Sequence, residues 1–425
     1  MKTFHDGRDW FFEKRFGLFL HWGVYAIDGF HEQDQWRRRI PRADYVQLAK
    51  RWNPTAFDPD AWLDLAEEAG MEYVVLTAKH HDGFCLWDTR ETGFNTMNTP
   101  YGQDIVKRYT DACHKRGMPV GIYYSVVDWN HPNYPNQGRH HELAGPEPGD
   151  TPDIEAYMEF LRRQVRELCT NYGEVNLFWW DMNVEKYVDP TINAMIRELQ
   201  PNCVINNRGM DEGDYGTPER EWDQNGDALA FEKPVEACTS VGIQSWGYRT
   251  DESYYTDRLL LRNIDRYIAK GGNFLLNVGP RPDGVIPERA ADILRRIGAW
   301  IKPVREALYD VIPASHMTQN RQVLLTRREN TLYVHLIKDT MGEDVILKPL
   351  YDLPKKATLL NDGRELRVAN DMVPSQHMEQ RGYLRIQGVP VNAYANSVIV
   401  IKLEFEHLDD VVAATDETGD DKNIM

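Results

Sequence analysis

The chain has 425 residues, of which 42% are hydrophobic and 11% aromatic, enough for one large domain with a sizeable core and a second, smaller one. A formal net charge of −17 excludes nucleic acid and anionic membrane surfaces as natural partners. No apolar run approaches the roughly 20 residues needed to span a bilayer.

The first residues, Met1 to Trp10, lack a signal-peptide layout, and Phe16–Leu20 leads into His21-Trp22-Gly23 rather than a cleavage site, so the expected location is the cytoplasm. The five cysteines (Cys85, Cys113, Cys169, Cys203, Cys238) are odd in number and widely spaced. They read as buried thiols rather than metal ligands.

In chain order, short apolar runs alternate with amphipathic stretches. Phe16–Trp22 is a predicted strand, followed by predicted helices at Ala43–Trp52 and Pro59–Ala69. Tyr73–Ala78 is a buried strand that runs into Lys79-His80-His81-Asp82-Gly83-Phe84. A helix over Asp104–Lys115 closes on Gly117, and the strand Pro119–Ser125 follows. The long helix Ile154–Tyr172 leads to Val175–Trp180, a nearly all-apolar strand that ends on the carboxylate of Asp181. Predicted next are a helix at Ile192–Gln200, strands at Cys203–Asn207 and Ile243–Trp246, a helix at Tyr255–Lys270, the stretch Gly271–Pro280 and a last helix at Arg289–Ile301.

Alternating strands and helices imply βαβ units, and about eight strands over some 300 residues fit a (β/α)8-like, TIM-type barrel. No glycine-rich turn follows an early strand, so a dinucleotide fold has little support. Polar or aromatic residues end nearly every strand: His21, His80 and His81, Tyr124, Asp181, Arg208, Trp246 and Asn277. In a barrel the carboxyl ends of the strands are where catalytic groups gather. After residue 313 the texture changes to short alternating runs separated by turns, which predicts an antiparallel β-sandwich. The expected division is a barrel over 1–312, a C-terminal β-sandwich over 313–406 and an acidic, disordered tail over 407–425.

His21-Trp22-Gly23, Lys79-His80-His81-Asp82-Gly83-Phe84, Tyr123-Tyr124-Ser125, Trp180-Asp181, the run from Gly213 to Thr217-Pro218-Glu219, Ser245-Trp246-Gly247-Tyr248 and Gly271-Gly272-Asn273 with Asn277-Val278-Gly279-Pro280 together resemble the α-L-fucosidases of glycoside hydrolase family 29. The resemblance spans about residues 10 to 310, in order. It implies a barrel with a C-terminal sandwich, a retaining mechanism, a fucosylated oligosaccharide or glycoconjugate as substrate, and neither cofactor nor metal.

By that resemblance Asp181 is the nucleophile and Glu219 the acid/base, with Glu236 in reserve and Asp214 a weaker candidate. His21, His80, His81, Tyr124 and Arg208 hold the sugar, and Trp246, with Trp87 or Trp180, receives its methyl face. Gln35, before Trp36, stands where many members have a sugar-binding Glu, and an amide can still bond a hydroxyl. Asn207-Arg208-Gly209 replaces the commoner Asp-Arg-Trp, which implies a more open subsite.

Retention asks for two carboxyls about 5–5.5 Å apart, one ionised and one protonated. Arg208 on the neighbouring strand suits the ionised one. Three rivals stay open on the residues alone: a metal-dependent barrel hydrolase using the histidines, a fucose-binding barrel without chemistry, and a retaining glycosidase for another sugar. Zinc ligand spacings are not met, which counts against the first.

Overall fold

The computed structural model describes residues 3–221, 229–340 and 342–408. Seven parallel strands form the main sheet: β1 (Phe16–Leu20), β2 (Tyr73–Lys79), β3 (Val120–Ser125), β4 (Leu177–Asp181), β5 (Val204–Ile205), β6 (Glu236–Ser240) and β7 (Asn273–Val278), in the order β5-β4-β3-β2-β1-β7-β6. The sheet curls, and the gap between β5 and β6 is bridged by an extended segment around residues 214–220. Tyr215 bridges Asn206, while Gly216 and Glu219 bridge Val235 and Cys238, all in parallel. This irregular eighth strand turns the curled sheet into a (β/α)8-like barrel, consistent with the predicted class.

Strand alternation sorts the side chains into two layers. The barrel interior holds Phe19, Tyr73, Val75, Tyr123, Leu177, Trp179, Val204, Tyr215, Cys238 and Leu275, at least one from each strand and from the closing segment. The outer layer holds Leu18, Leu76, Ile122, Tyr124, Phe178, Trp180 and Ala237, which pack under the helices.

Those helices are α1 (Pro59–Glu68), α2 (Ile105–Arg116), α3 (Ile154–Thr170), α4 (Pro190–Leu199), α5 (Asp257–Ala269) and α6 (Glu288–Val304). Their starts follow the expected chemistry: the Asp58, Asp104, Asp153 and Asp189 carboxylates each accept a backbone N–H of the first turn. Gly117 closes α2 with φ +65°, a left-handed cap. The predicted helix Ala43–Trp52 is instead a four-residue turn, Arg42–Tyr45, running into a 3-10 stretch, Val46–Arg51.

One strand differs from expectation. Ile243–Trp246 is a loop, held by the Glu252 carboxylate, which accepts from Gln244 N at 2.9 Å and Ser245 N at 3.1 Å. The strand lies earlier, at Glu236–Ser240, where Glu236 and Cys238 face the barrel interior and where Glu236, Thr239 and Ser240 make the run look polar.

Beyond the barrel lie two antiparallel sheets. One has β8 (Ile312–Pro313), β9 (Val323–Arg328), β10 (Thr331–Leu336), β12 (Lys356–Leu359) and β15 (Ile399–Glu404) in the order β12-β15-β10-β9-β8. The other has β11 (Val345–Ile346), β13 (Arg367–Ala369) and β14 (Arg385–Gln387) in the order β11-β14-β13. They share a core that includes Leu325, Val334, Leu384 and Ile401.

Tyr333, Val398 and Val400 join the barrel's outer core instead. There Trp300 Nε1 donates to Val398 O at 2.9 Å, and the buried His335 imidazole meets Asp265 at 2.7 Å. Most of the predicted tail, residues 409–425, lies outside the described residues. Among the described residues no helix is long and apolar enough to cross a membrane.

Candidate active site

Asp181 closes β4 and points, like Trp179 two places before it, into the mouth of the barrel. Its Oδ2 accepts from Tyr123 Oη at 2.7 Å, and its Oδ1 lies 3.1 Å from Arg208 Nη1. The same Nη1 lies 2.8 Å from Glu219 Oε2. Burial works against a charge on Asp181, but the Arg208 guanidinium and the Tyr123 hydroxyl outweigh it and hold the carboxyl below its usual range. Arg208 is fixed in turn, with Nε donating to Thr217 Oγ1, Nη2 donating to Thr217 O at 2.9 Å, and its guanidinium 4.8 Å above the Trp179 ring. Glu219 is brought here by the segment that closes the barrel, since Cys238 N donates to Pro218 O and Arg220 N to Cys238 O.

These groups border a cavity of about 230 Å³ at the carboxyl ends of the strands. That is below the roughly 300–1,000 Å³ of sites for drug-sized ligands and suits about one sugar ring. Its inner wall carries His21, His80 and His81, all buried. Burial pushes His21 down to about 4 and His81 to about 3, and His80 well below the usual imidazole range, so all three are neutral near pH 7.

The surrounding hydrogen bonds assign two tautomers. Asn277 Nδ2 donates to Ser240 Oγ and Trp246 O, so its Oδ1 accepts from His21 Nδ1–H at 2.7 Å. Ser125 Oγ donates to Val127 O and therefore accepts from His81 Nδ1–H at 2.7 Å. Each ring keeps Nε2 as an acceptor, and that of His81 lies 3.9 Å from Asp181.

Glu32 was missed in the sequence. Its Oε2 accepts from Ser245 Oγ (2.7 Å), Trp246 N (2.9 Å) and Gly247 N (3.1 Å), while the buried Oε1 has no partner although the residue lines the cavity. Burial opposes its charge, yet the neighbouring His31 and these donors keep it below the usual carboxylate range. A carboxylate oxygen held in place and left unpaired is an acceptor suited to a ligand hydroxyl. Phe19, Trp179, Met182 and Trp246 supply apolar walls, and His31, Gln33, Arg37, His141, Arg220 and Gln244 also line the cavity.

Several expected site residues lie elsewhere. Tyr124 is on the outer face of β3, where its hydroxyl donates to Gln164 Oε1 at 2.6 Å. Tyr123 faces the cavity instead. Gln35 and Trp36 sit on the short helix Asp34–Arg37. That turn carries the Gln35 amide into the interior, unpaired, and sets Trp36 half-buried against the His141 ring at 5.2 Å.

Glu236 lies deep inside the barrel, where its carboxyl accepts from Tyr73 Oη at 2.6 Å and Trp179 Nε1 at 3.0 Å. Burial pushes it up to about 7, against those two donors. Asp214 is tied into the closing segment by Arg8, Arg197 and Ile205 N. Trp87 donates to Glu167 and Trp180 to Asn193, both behind the sheet. Asp181, Glu219, His21, His80, His81, Arg208 and Trp246 all reach the cavity. Among the described residues no cluster of three His, Cys, Asp or Glu side chains is arranged to hold a metal ion.

Comparison with known proteins converges on one family. A family model described as alpha-L-fucosidase matches residues 3–306. The chain is 28% identical to an alpha-L-fucosidase of Dictyostelium discoideum over 83% of its own length and 82% of the relative's. Among solved structures it resembles alpha-L-fucosidase isoenzyme 1 from Paenibacillus thiaminolyticus, with a TM-score of 0.83 and 33% identity over 94% of this chain and 100% of that one. It also resembles a GH29 alpha-L-fucosidase from Bacteroides thetaiotaomicron solved as a trapped covalent intermediate, with a TM-score of 0.79 and 28% identity over 94% and 96%. A barrel mouth with two carboxylates on one arginine, an acceptor-rich wall and this family match leave one conclusion: the chain is a glycoside hydrolase that belongs to the α-L-fucosidases of glycoside hydrolase family 29.

Proposed function

We propose that the chain is a retaining exo-α-L-fucosidase that releases terminal fucose from glycans through a covalent fucosyl-Asp181 intermediate. The observation that carries this reading is the shared Arg208 Nη1. With Asp181 Oδ1 and Glu219 Oε2 at 3.1 and 2.8 Å from one nitrogen, those two oxygens are at most about 5.9 Å apart, the two lengths laid end to end. That falls short of the roughly 6.5–9.5 Å that inverting enzymes need to fit a water between carboxyls, and fits the 5–5.5 Å class. The trapped covalent intermediate of the Bacteroides relative supports the same route.

In the first step the Glu219 carboxyl gives its proton to the glycosidic oxygen as the Asp181 carboxylate attacks the anomeric carbon and the C–O bond to the leaving sugar breaks. Tyr123 and Arg208 hold the attacking carboxylate in line. In the second step the charge on Asp181 has gone into the ester, and Arg208 is left to pair with Glu219 as that carboxylate takes a proton from water. The resulting hydroxide attacks the anomeric carbon and frees Asp181. Glu32 Oε1 and the Nε2 atoms of His21 and His81 accept sugar hydroxyls, and Trp246 and Phe19 face the methyl side.

Hydrolysis of an aryl α-L-fucoside tests the roles. Asp181→Ala should lose at least about 10³-fold in kcat, and azide should restore turnover as β-fucosyl azide. Glu219→Ala should lose about 10²–10⁴-fold and be rescued as α-fucosyl azide. Rescue of Glu236→Ala in its place would move the acid/base into the barrel interior. Wild-type inactivity on this substrate and on a panel of fucosylated oligosaccharides would sink the reading.

A further inference from the structure

Besides Arg208 the cavity carries two further arginines, on a chain whose formal net charge is −17. Arg37 and Arg220 both line it, and among the described residues neither guanidinium has a carboxylate within ion-pair range. Burial first, and then the charges of Arg37 and Arg220, oppose protonation of His31 against the pull of Glu32, and all of these side chains line the one cavity.

Arg220 is held in place before any ligand arrives. Its Nη1 donates to Ile243 O at 2.7 Å, its guanidinium lies 4.9 Å over the Trp246 ring, and its buried Nε has no partner. The residue adopts φ +50°, in the left-handed region that a side chain as large as arginine seldom occupies, directly after Glu219. Arg37 comes from the other rim, where Nε donates to Gln33 Oε1 at 3.1 Å and the guanidinium lies 5.8 Å from the Trp36 ring.

The sugar ring fills the inner half, between Asp181, Glu32 and the histidines, so whatever follows the scissile oxygen passes Glu219 and meets these two cations. We propose that Arg37 and Arg220 form a leaving-group subsite for an oxyanion, a carboxylate or a sulfate carried by the sugars attached to fucose. The planar donor fork of arginine matches both anions in two-point contact, and a face stacked on an indole leaves the donor edge free. The inference rests on the fucosidase reading, with Glu219 on the leaving-group side. Because the whole chain is acidic, long-range steering works against such substrates, and the preference must come from the two local cations.

The test compares kcat/KM at low ionic strength for one α-fucosyl trisaccharide in three forms: uncharged, with a sialic acid carboxylate beside the fucosylated sugar, and with a sulfate on that sugar. Wild type should favour at least one charged form by about tenfold, the effect of one charge-assisted contact. Preference for one form alone identifies the anion.

Arg37→Gln/Arg220→Gln should bring the ratio of charged to uncharged substrate to about one, whatever its absolute rate, and Arg37→Lys/Arg220→Lys should keep part of it. The uncharged, carboxylated and sulfated leaving sugars, added as inhibitors of aryl fucoside hydrolysis, give a second reading with the same expected order. A wild-type ratio of one or less for both anions, or a ratio that survives the double Gln change, would overturn the subsite. Absence of turnover on all three forms in wild type would strike the fucosidase reading itself.

Discussion

The Tyr123 hydroxyl donates a hydrogen bond to Asp181, whereas that of Tyr124 donates to Gln164 behind the sheet. Tyr123→Phe is therefore expected to lower kcat on an aryl fucoside by about 10- to 100-fold, the cost of one hydrogen bond to a charged group. Tyr124→Phe should leave kcat within about twofold and cost about 1–3 kcal/mol of stability, because a buried amide loses its partner. Steady-state kinetics with thermal melts check the pair, and a larger kcat loss in Tyr124→Phe would reverse the assignment.

The sequence reading put Tyr124 in the site and left out Tyr123, since alternation admits only one of the pair and its phase was not fixed. That phase was available on β4: if Asp181 points inward, so does Trp179, and Trp180 does not. Tyr123 pairs with Trp179 and Ser125 with Asp181, so the same phase carries across to β3. Glu32 was hidden differently. Anchoring the loop on Trp36 drew attention to Gln35, but the short helix from Asp34 turns that amide inward and leaves Glu32, just before it, at the cavity.

Among the elements, the segment that closes the barrel matters most to the chemistry, because Glu219 and Arg220 ride on it. Gly213 lets the chain enter it, at φ +60° with the carbonyl of Asn206 so close that an added Cβ would lie 2.4 Å from its oxygen. Gly213→Ala is expected to cost at least about 1–3 kcal/mol through clash and left-handed strain together, and to lower kcat by displacing Glu219. Unchanged melting and unchanged kcat would mean that the segment does not depend on this turn.

Six of the seven ladder strands, all but β6, and the six long helices were largely legible from apolar runs and caps. This eighth strand was not, because Gly213, Gly216 and Pro218 are turn signals in any pattern. Pro218 is tolerated because the ladder uses its carbonyl, which accepts from Cys238 N at 2.9 Å, and not the N–H it lacks. For the opposite reason Ile243–Trp246 looked like a strand. It carries Ile243 and Trp246, but the N–H groups of Gln244, Ser245 and Trp246 go to the carboxylates of Glu252 and Glu32.

Across the whole molecule, the change of texture after residue 313 made the barrel and sandwich classes readable, but burial of charge could not be read without the fold. Burial pushes Asp82 and Glu236 up to about 7, and His21 and His81 down to about 4 and 3. The histidines contribute stability above pH 6.5 that is lost as pH falls through 4 and 3. The two acids contribute stability below about pH 4 that is lost as pH rises through 7, so the two sets oppose each other between pH 4 and 7.

Glu236→Gln removes one of the acids. Its stability relative to wild type should rise by about 2.5 kcal/mol from pH 5 to pH 8, at about 1.4 kcal/mol per pKa unit, as read by denaturant titration. A difference that does not change with pH would contradict an acid titrating inside the barrel. For the reaction as a whole, the most direct measurement is NMR of the first sugar released from an aryl α-L-fucoside, before mutarotation. Double displacement at Asp181 gives α-L-fucose first, and β-L-fucose first would contradict it.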